Sequence, residues 1–416
     1  MSARLADLPL RDDLRGRTPY GAPQLPHAAQ LNVNENPYGP SPDLLDDLAA
    51  AVRAAAVTLN RYPDREAVAL RQDLAGYLSE STGVALTTEQ LWAANGSNEV
   101  LQHVCQAFGG PGRTALTFEP SYSMHPLIAT GTGMRHVGVP RAADFGVTAD
   151  AAVAAVREHT PAVTFLTTPN NPTGTVTGLD VVEAVYDATD GILVVDEAYA
   201  EFGRGRGYVS AVTLLRGRPR LLVSRTMSKA FALAGARLGY LAADPAVVDA
   251  LRLVRLPYHL SAVTQAVART ALVHRAELLG TVDAVAAERD RLVAGVRALG
   301  VGVVPTLSNF FLFGPFGDPR RVWQDLLDDG VLVRDLSGPT LPGLLRVNAG
   351  TPDEGDRFLA ALAAAVARQP PAGSAAEISP PPGAAATPPA PGTIGATAGA
   401  AAGIPAAVAA DGGTQA

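Results

Sequence analysis

Lysine is almost absent from this chain. Lys229 is the only one in 416 residues, and every other member of the 33 lysine-plus-arginine side chains is arginine. An arginine neither loses its proton near neutrality nor condenses with an aldehyde, whereas a lysine amine does both. The solitary lysine is therefore a candidate reactive amine. Cysteine is equally scarce: the single Cys105 excludes an intrachain disulfide framework and a cysteine-based zinc site. It is expected to pack in a core, in a reducing compartment. The histidines are dispersed, and the nearest metal-like pair, His103 with Cys105, would fall on different helix faces, so no metal site is expected. Runs of basic residues are missing and the formal net charge is -7, which argues against a nucleic-acid partner. No apolar run has the length to cross a bilayer, and the first 25 or so residues show no hydrophobic signal region. A soluble, cytoplasmic protein is expected, with no membrane partner.

The length exceeds one ordinary hydrophobic core, so two domains or one large domain with an appendage are expected. Residues 1–40 read as an arm and a shaped loop, expected to join the small C-terminal domain in part, with Leu31-Asn32-Val33-Asn34-Glu35-Asn36-Pro37 too rich in Asn and Pro for regular structure. Ser41-Pro42 is a cap followed by a first-turn proline, and Leu44, Leu45, Leu48 and Val52 continue it as a helix. From Leu91 to about Tyr240, helical periods alternate with short apolar runs: 115–118, 162–167, 192–195, 221–224 and 237–242. Such runs suit strands covered on both faces, which gives an α/β fold with a mostly parallel central sheet in a large domain at 41–258. Long helical patterns follow at 260–279 and 282–298. Strands at 301–304, 309–313, 331–334 and 344–348, with helices at 320–328 and 352–367, then make a small α+β domain within 259–368. From 369 to 416 the sequence is Pro, Gly, Ala and Thr with almost no large apolar residue, and a disordered tail is expected.

Polar residues sit directly after several of these strands, where open α/β sheets bind ligands. Asn95-Gly96-Ser97-Asn98-Glu99 opens a helix, whose free N–H groups and dipole make an anion seat. It has neither a lysine-containing phosphate loop nor the spaced glycines of a dinucleotide fingerprint, which disfavours a nucleotide. Asn170-Asn171-Pro172-Thr173-Gly174 ends one strand and Val195-Asp196-Glu197-Ala198-Tyr199 the next, ahead of Ser224-Arg225-Thr226-Met227-Ser228-Lys229.

In that order the three segments resemble signatures of the fold-type I pyridoxal-phosphate enzymes, the aminotransferase family, over about residues 15–365. The resemblance implies pyridoxal 5'-phosphate as cofactor, held by Lys229 as an imine that then shuttles a proton. It implies Asp196 at the pyridine nitrogen, Asn171 and Tyr199 at the phenolic oxygen, and Tyr122 stacked on the ring. The phosphate falls to Ser97, Asn98, Thr226, Ser228 and Arg237. Tyr62, in Arg61-Tyr62-Pro63, would reach a neighbouring subunit's phosphate, which implies a homodimer.

Within the family, Asn34-Glu35-Asn36-Pro37, Thr226-Met227-Ser228-Lys229-Ala230-Phe231 and the pair Arg334 and Arg346 resemble the histidinol-phosphate aminotransferases. The implied reaction exchanges the amine between L-histidinol phosphate and 2-oxoglutarate in histidine biosynthesis. Arg346 resembles the carboxylate-binding arginine, Arg334 and Tyr20 the substrate-phosphate contacts, and Asn36 a substrate contact. Alternatives are an aromatic amino acid (phenylalanine) aminotransferase, a phosphothreonine-type decarboxylase on the same scaffold, and a non-catalytic cofactor-binding relative. Arg334 is also compatible with a strand-end arginine paired to Asp335.

Overall fold

The computed structural model describes residues 4–16, 21 and 25–368. Tyr20 and the expected tail at 369–416 lie outside the described residues. In chain order the elements are β1 (Ala29–Gln30), α1 (Pro42–Ala56), α2 (Val68–Thr82), β2 (Leu91–Ala94), α3 (Ser97–Phe108), β3 (Thr114–Glu119) and α4 (Met124–Gly131). Next come β4 (Arg135–Pro140), α5 (Ala149–His159), β5 (Val163–Thr167), α6 (Leu179–Ala188), β6 (Ile192–Asp196), β7 (Leu221–Thr226), β8 (Gly239–Ala242) and α7 (Pro245–Val254). The remainder is α8 (Ala262–Val273), α9 (Arg275–Ala298), β9 (Gly302–Val303), β10 (Phe310–Gly314), α10 (Pro319–Asp328), β11 (Val331–Leu332), β12 (Arg334–Asp335), β13 (Leu345–Asn348) and α11 (Pro352–Arg368).

The apolar runs build a seven-stranded sheet in the order β2-β8-β7-β6-β5-β3-β4. Successive residues of its strands point to opposite faces. Phe165, Val194, Leu222 and Leu241 enter one apolar cluster with α3 and α7. Their neighbours Leu166, Val195, Val223 and Tyr240 enter another with α5 and α6. This two-sided burial is why the strands read as continuous apolar runs. Neighbours run parallel except around β8, which is antiparallel to both β2 and β7. The strands expected at 115–118, 192–195 and 221–224 each extend by one or two residues, so that Asp196 and Thr226 become the last residues of β6 and β7.

A second sheet has the order β12-β13-β10-β9, and β1 pairs in parallel with β11. That pairing, followed by the Asn348 N–H donating to the Leu31 carbonyl at 3.1 Å, ties the segment 29–36 to this sheet.

Three expectations need correction. The strand expected from Arg237 begins at Gly239, because Arg237 takes a left-handed backbone at φ 56. The helix expected over 260–279 ends at Val273, and α9 starts at Arg275, since His274 between them leaves helical geometry at ψ 17. The run at 331–334 divides into β11 and β12, which pair with different strands. The edge strand β4, only half covered, has no counterpart among the expected runs. The Ser41 cap forms as expected, its Oγ accepting from the Leu44 N–H at 3.2 Å.

Candidate active site

The C-terminal ends of β5, β6 and β7, the start of α3, the segment 32–35 and the edge of the second sheet enclose a cavity of about 430 Å³. Its wall includes Ser97, Asn98, Tyr122, Asn171, Asp196, Tyr199, Thr226, Ser228, Lys229, Arg237, Arg334 and Arg346. Residues far apart in the chain, from Asn32 to Arg346, thus meet in one place. Its charged lining is Lys229, Arg237, Arg334 and Arg346 against Asp196 and Glu35, a basic cavity in a chain of net charge -7. Such a cavity selects anions.

One end is an anion cradle. The first N–H groups of α3, at Ser97 and Asn98, have no earlier turn to bond to, and the Thr226 and Ser228 hydroxyls lie beside them, 3.0 Å apart. Two glycines make the close approach possible. A Cβ at Gly239 would come 2.0 Å from the Ser97 nitrogen, and one at Gly96 would come 2.7 Å from Arg237 Nη2. Arg237 is held in its strained backbone with Nη1 donating to the Ala234 carbonyl at 2.9 Å. Behind the cradle, Asn95 is fixed by Glu99 Oε2 and by the His259 carbonyl, at 2.6–2.8 Å.

The floor is the buried carboxylate of Asp196. Ser224 Oγ donates to its Oδ1 at 3.1 Å, and His125 Nε2 lies 3.0 Å from its Oδ2. The His125 ring stacks on Phe165 at 4.6 Å, and its Nδ1 has no partner, so its proton belongs on Nε2, facing the carboxylate. Tyr122 stands edge-on to His125 and donates to Asn98 Oδ1 at 3.2 Å.

Opposite, the Tyr199 hydroxyl accepts from Asn34 Nδ2 at 3.0 Å and from Asn171 Nδ2 at 3.4 Å. Arg346 Nη1 donates to Asn171 Oδ1 at 2.7 Å and its Nη2 to the Asn32 carbonyl at 3.0 Å. Its guanidinium also lies 5.1 Å over the Phe310 ring. Arg334 is its cross-strand partner on β12. Like charges directly opposite on neighbouring strands are unfavourable, so an anion between them answers the arrangement. The alternative pairing of Arg334 with Asp335 is not formed; Asp335 Oδ1 accepts instead from the Ser337 N–H and hydroxyl, at 2.9 and 2.5 Å.

Lys229 stands between these ends, Nζ donating to the Val33 carbonyl at 3.3 Å. Burial pushes its ammonium down to about 8; Glu35 opposes that, while Arg346 and Arg237 add to it. Near neutrality a useful fraction of the amine is therefore neutral and nucleophilic.

Two expected site residues lie away from the cavity wall. Tyr62 is 79% exposed and stacks on Tyr258 at 4.4 Å. Asn36 donates to Thr281 Oγ1 at 2.9 Å and accepts from the Tyr38 N–H at 3.0 Å. Sequence reasoning missed His125, three residues after Tyr122, and the residues 32–34 that reach Arg346, Lys229 and Tyr199. The only local signal for the latter was their density of Asn.

The cavity fits pyridoxal phosphate on its donor set: an anion cradle at one end, a buried carboxylate for a ring cation, amide and hydroxyl groups opposite, and one amine between them. Among the described residues, no group of three or more His, Cys, Asp or Glu is placed to hold a metal ion. Nor is any helix among them long and apolar enough to cross a membrane.

Residues 26–362 match the family model for aminotransferase class I and II. A histidinol-phosphate aminotransferase of Thermobifida fusca (strain YX) is 62% identical over 362 residues, 87% of this chain and 96% of the relative. One from Mycolicibacterium smegmatis (strain ATCC 700084 / mc(2)155) is 59% identical, over 86% of this chain and 93% of the relative. Among solved structures, histidinol-phosphate aminotransferase from Sinorhizobium meliloti in complex with pyridoxal-5'-phosphate superposes with a TM-score of 0.74 at 27% identity. It covers 82% of this chain and 91% of that one.

Proposed function

Since the chain belongs to the class I and II aminotransferases, and within them to the histidinol-phosphate aminotransferases, we propose that it moves an amine between L-histidinol phosphate and 2-oxoglutarate. The fold is that of the fold-type I pyridoxal-phosphate enzymes. The products are imidazole acetol phosphate and glutamate, and the step belongs to histidine biosynthesis in the cytoplasm.

When bound, pyridoxal phosphate supplies a conjugated ring that accepts the electron pair left when the α-carbon of an attached amine loses its proton. The chain's residues do the rest. Ser97 and Asn98 N–H groups, the Thr226 and Ser228 hydroxyls and Arg237 bind the cofactor phosphate. Asp196, oriented by His125 and Ser224, would hold a proton on the ring nitrogen. Asn171 and Tyr199 would bind the phenolic oxygen, and Tyr122 would cover the ring face. Lys229 would hold the cofactor through its Nζ, and the same Nζ, when free, would take and return the substrate's α-proton.

Arg334 and Arg346 receive the substrate's anion. Their forks suit a carboxylate bidentately or can be shared around a phosphate, so one seat serves both histidinol phosphate and glutamate. The adjacency of these two arginines, with a second anion cradle across the cavity, is the observation that carries the substrate assignment. Tyr20 and Asn36 would add contacts from the arm. Tyr62 would serve the phosphate of a second copy, making the active unit a homodimer, with the seven-stranded sheet in a large domain (41–258) and the second sheet in a small one (259–368). The test is glutamate formation from histidinol phosphate and 2-oxoglutarate by the purified chain, with Lys229→Ala as control. Turnover by the parent alone is expected; no turnover by the parent, or equal turnover by the variant, contradicts the proposal.

A further inference from the structure

Asn34 is 2% exposed and its backbone sits in the left-handed region at φ 57. Such a conformation is strained for a non-glycine residue, less so for asparagine than for most. The surroundings enforce it. The Asn34 N–H donates to Asn348 Oδ1 at 3.2 Å, and its carbonyl accepts from Asn309 Nδ2 at 3.0 Å. Its side-chain Oδ1 is buried without a partner, and a buried acceptor left that way is a further cost to the fold. Against both costs the side chain makes one strong contact, the 3.0 Å donation from Nδ2 to the Tyr199 hydroxyl.

A phenol oxygen has one proton to give and two lone pairs to receive with. With Asn34 and Asn171 amides both donating to it, the Tyr199 proton is directed away from both. Tyr199 lines the cavity. Accepting a hydrogen bond also polarises the O–H and strengthens its own donation. We infer that Asn34 is a positioning residue, which acts through Tyr199 by aiming and strengthening that hydroxyl's donation to the phenolic oxygen of bound pyridoxal phosphate. This deepens, and rests on, the cofactor assignment above.

The consequence is spectroscopic. Donation to the phenolic oxygen favours its ionised form, so the lysine-linked chromophore of the resting enzyme should lose its proton at lower pH when Asn34 is present. Other groups facing this place are Lys229, Asp196 and Arg237, Arg334 and Arg346, and Glu35 on the same segment. Each is unchanged in the comparison that follows.

The experiment is a pH titration of the visible absorbance of cofactor-loaded enzyme for the parent, Asn34→Gly and Asn34→Asp. Glycine keeps the left-handed backbone and removes the amide. Aspartate keeps the shape and accepts where asparagine donates, and it carries the test if the glycine variant does not fold. Both should raise the midpoint, the glycine variant by about half a unit to one unit, a change of roughly three- to tenfold in the protonation constant. Adding Asn34→Gly to Tyr199→Phe should then shift the midpoint no further. Midpoints equal to the parent's, or a full additional shift in the Tyr199→Phe background, overturn the inference. A parent without any cofactor band overturns the cofactor assignment itself, a result distinguishable from failure of the Asn34 role alone.

Discussion

His125 Nε2 lies 3.0 Å from Asp196 Oδ2, with both side chains buried, and the imidazole is clamped against Phe165. The carboxylate that would hold the ring nitrogen's proton therefore has a fixed orientation. His125→Phe removes this donor and leaves Asp196 supported by Ser224 alone. Losing a partner to a buried charged group costs roughly 1–3 kcal/mol, so cofactor affinity measured by equilibrium dialysis should fall about five- to 150-fold. An unchanged dissociation constant would mean that His125 does not orient Asp196.

The neutral Lys229 amine is the form that reacts with an aldehyde, and burial brings its titration down to about 8. The rate at which stripped protein captures pyridoxal phosphate should accordingly rise as the pH is raised through about 8 and level off above it. Glu35 supports the ammonium, so Glu35→Gln should move the midpoint lower. A rate still climbing towards the ordinary lysine value, near 10.4, would contradict this account.

Behind the site, Arg225 bridges two buried carboxylates: Nη2 to Glu197 Oε2 at 2.7 Å and Nη1 to Glu201 Oε1 at 2.8 Å. Tyr77 and Ser210 hydroxyls complete the network. Arg225→Met would leave those carboxylates buried without their cation. Breaking a buried pair by removing one partner costs about 3–5 kcal/mol, which should appear as a lower denaturant midpoint at unchanged slope. A loss below about 1 kcal/mol would show that the network relaxes around the missing charge.

Much of this arrangement was legible because the chemistry sits where the strand pattern says it should. Asn171, Asp196 and Thr226 follow or end apolar runs, and parallel strands covered by helices on both faces announce themselves by those runs. Contacts between distant segments were not legible. Nothing near His125 signals a carboxylate 71 residues later, and nothing near Asn34 signals Tyr199. The break at His274 was hidden because the apolar stripe through Leu272, Leu278 and Val282 continues across it. The strand β4 was hidden because one of its faces is open to solvent, which breaks the apolar run.

Tyr62 stacks on Tyr258 while remaining largely exposed, a posture suited to reaching a second copy. If it serves the partner's cofactor phosphate, mixing Lys229→Ala with Tyr62→Ala protomers should restore activity, because one site of each mixed dimer is then intact. Recovery to roughly a quarter of the parent level is expected for random exchange of two equal populations, with one intact site in each mixed pair. Demonstrated exchange without recovery would place Tyr62 outside the partner's site.

Arg334 and Arg346 face each other across β12 and β13. Removing Arg334 should cost more with a phosphate-bearing substrate than with a carboxylate, since Arg346 alone can still grip a carboxylate bidentately. For Arg334→Ala, kcat/KM should fall about tenfold further with histidinol phosphate than with glutamate, a difference of about 1.4 kcal/mol. Equal losses would mean that Arg334 does not select phosphate.

The most direct measurement compares kcat/KM for histidinol phosphate, phenylalanine and phosphothreonine on the same preparation, each with 2-oxoglutarate and with product identified. Transamination with histidinol phosphate is expected to be the most efficient reaction. A higher kcat/KM with phenylalanine, or decarboxylation of phosphothreonine as the main chemistry, would contradict that expectation.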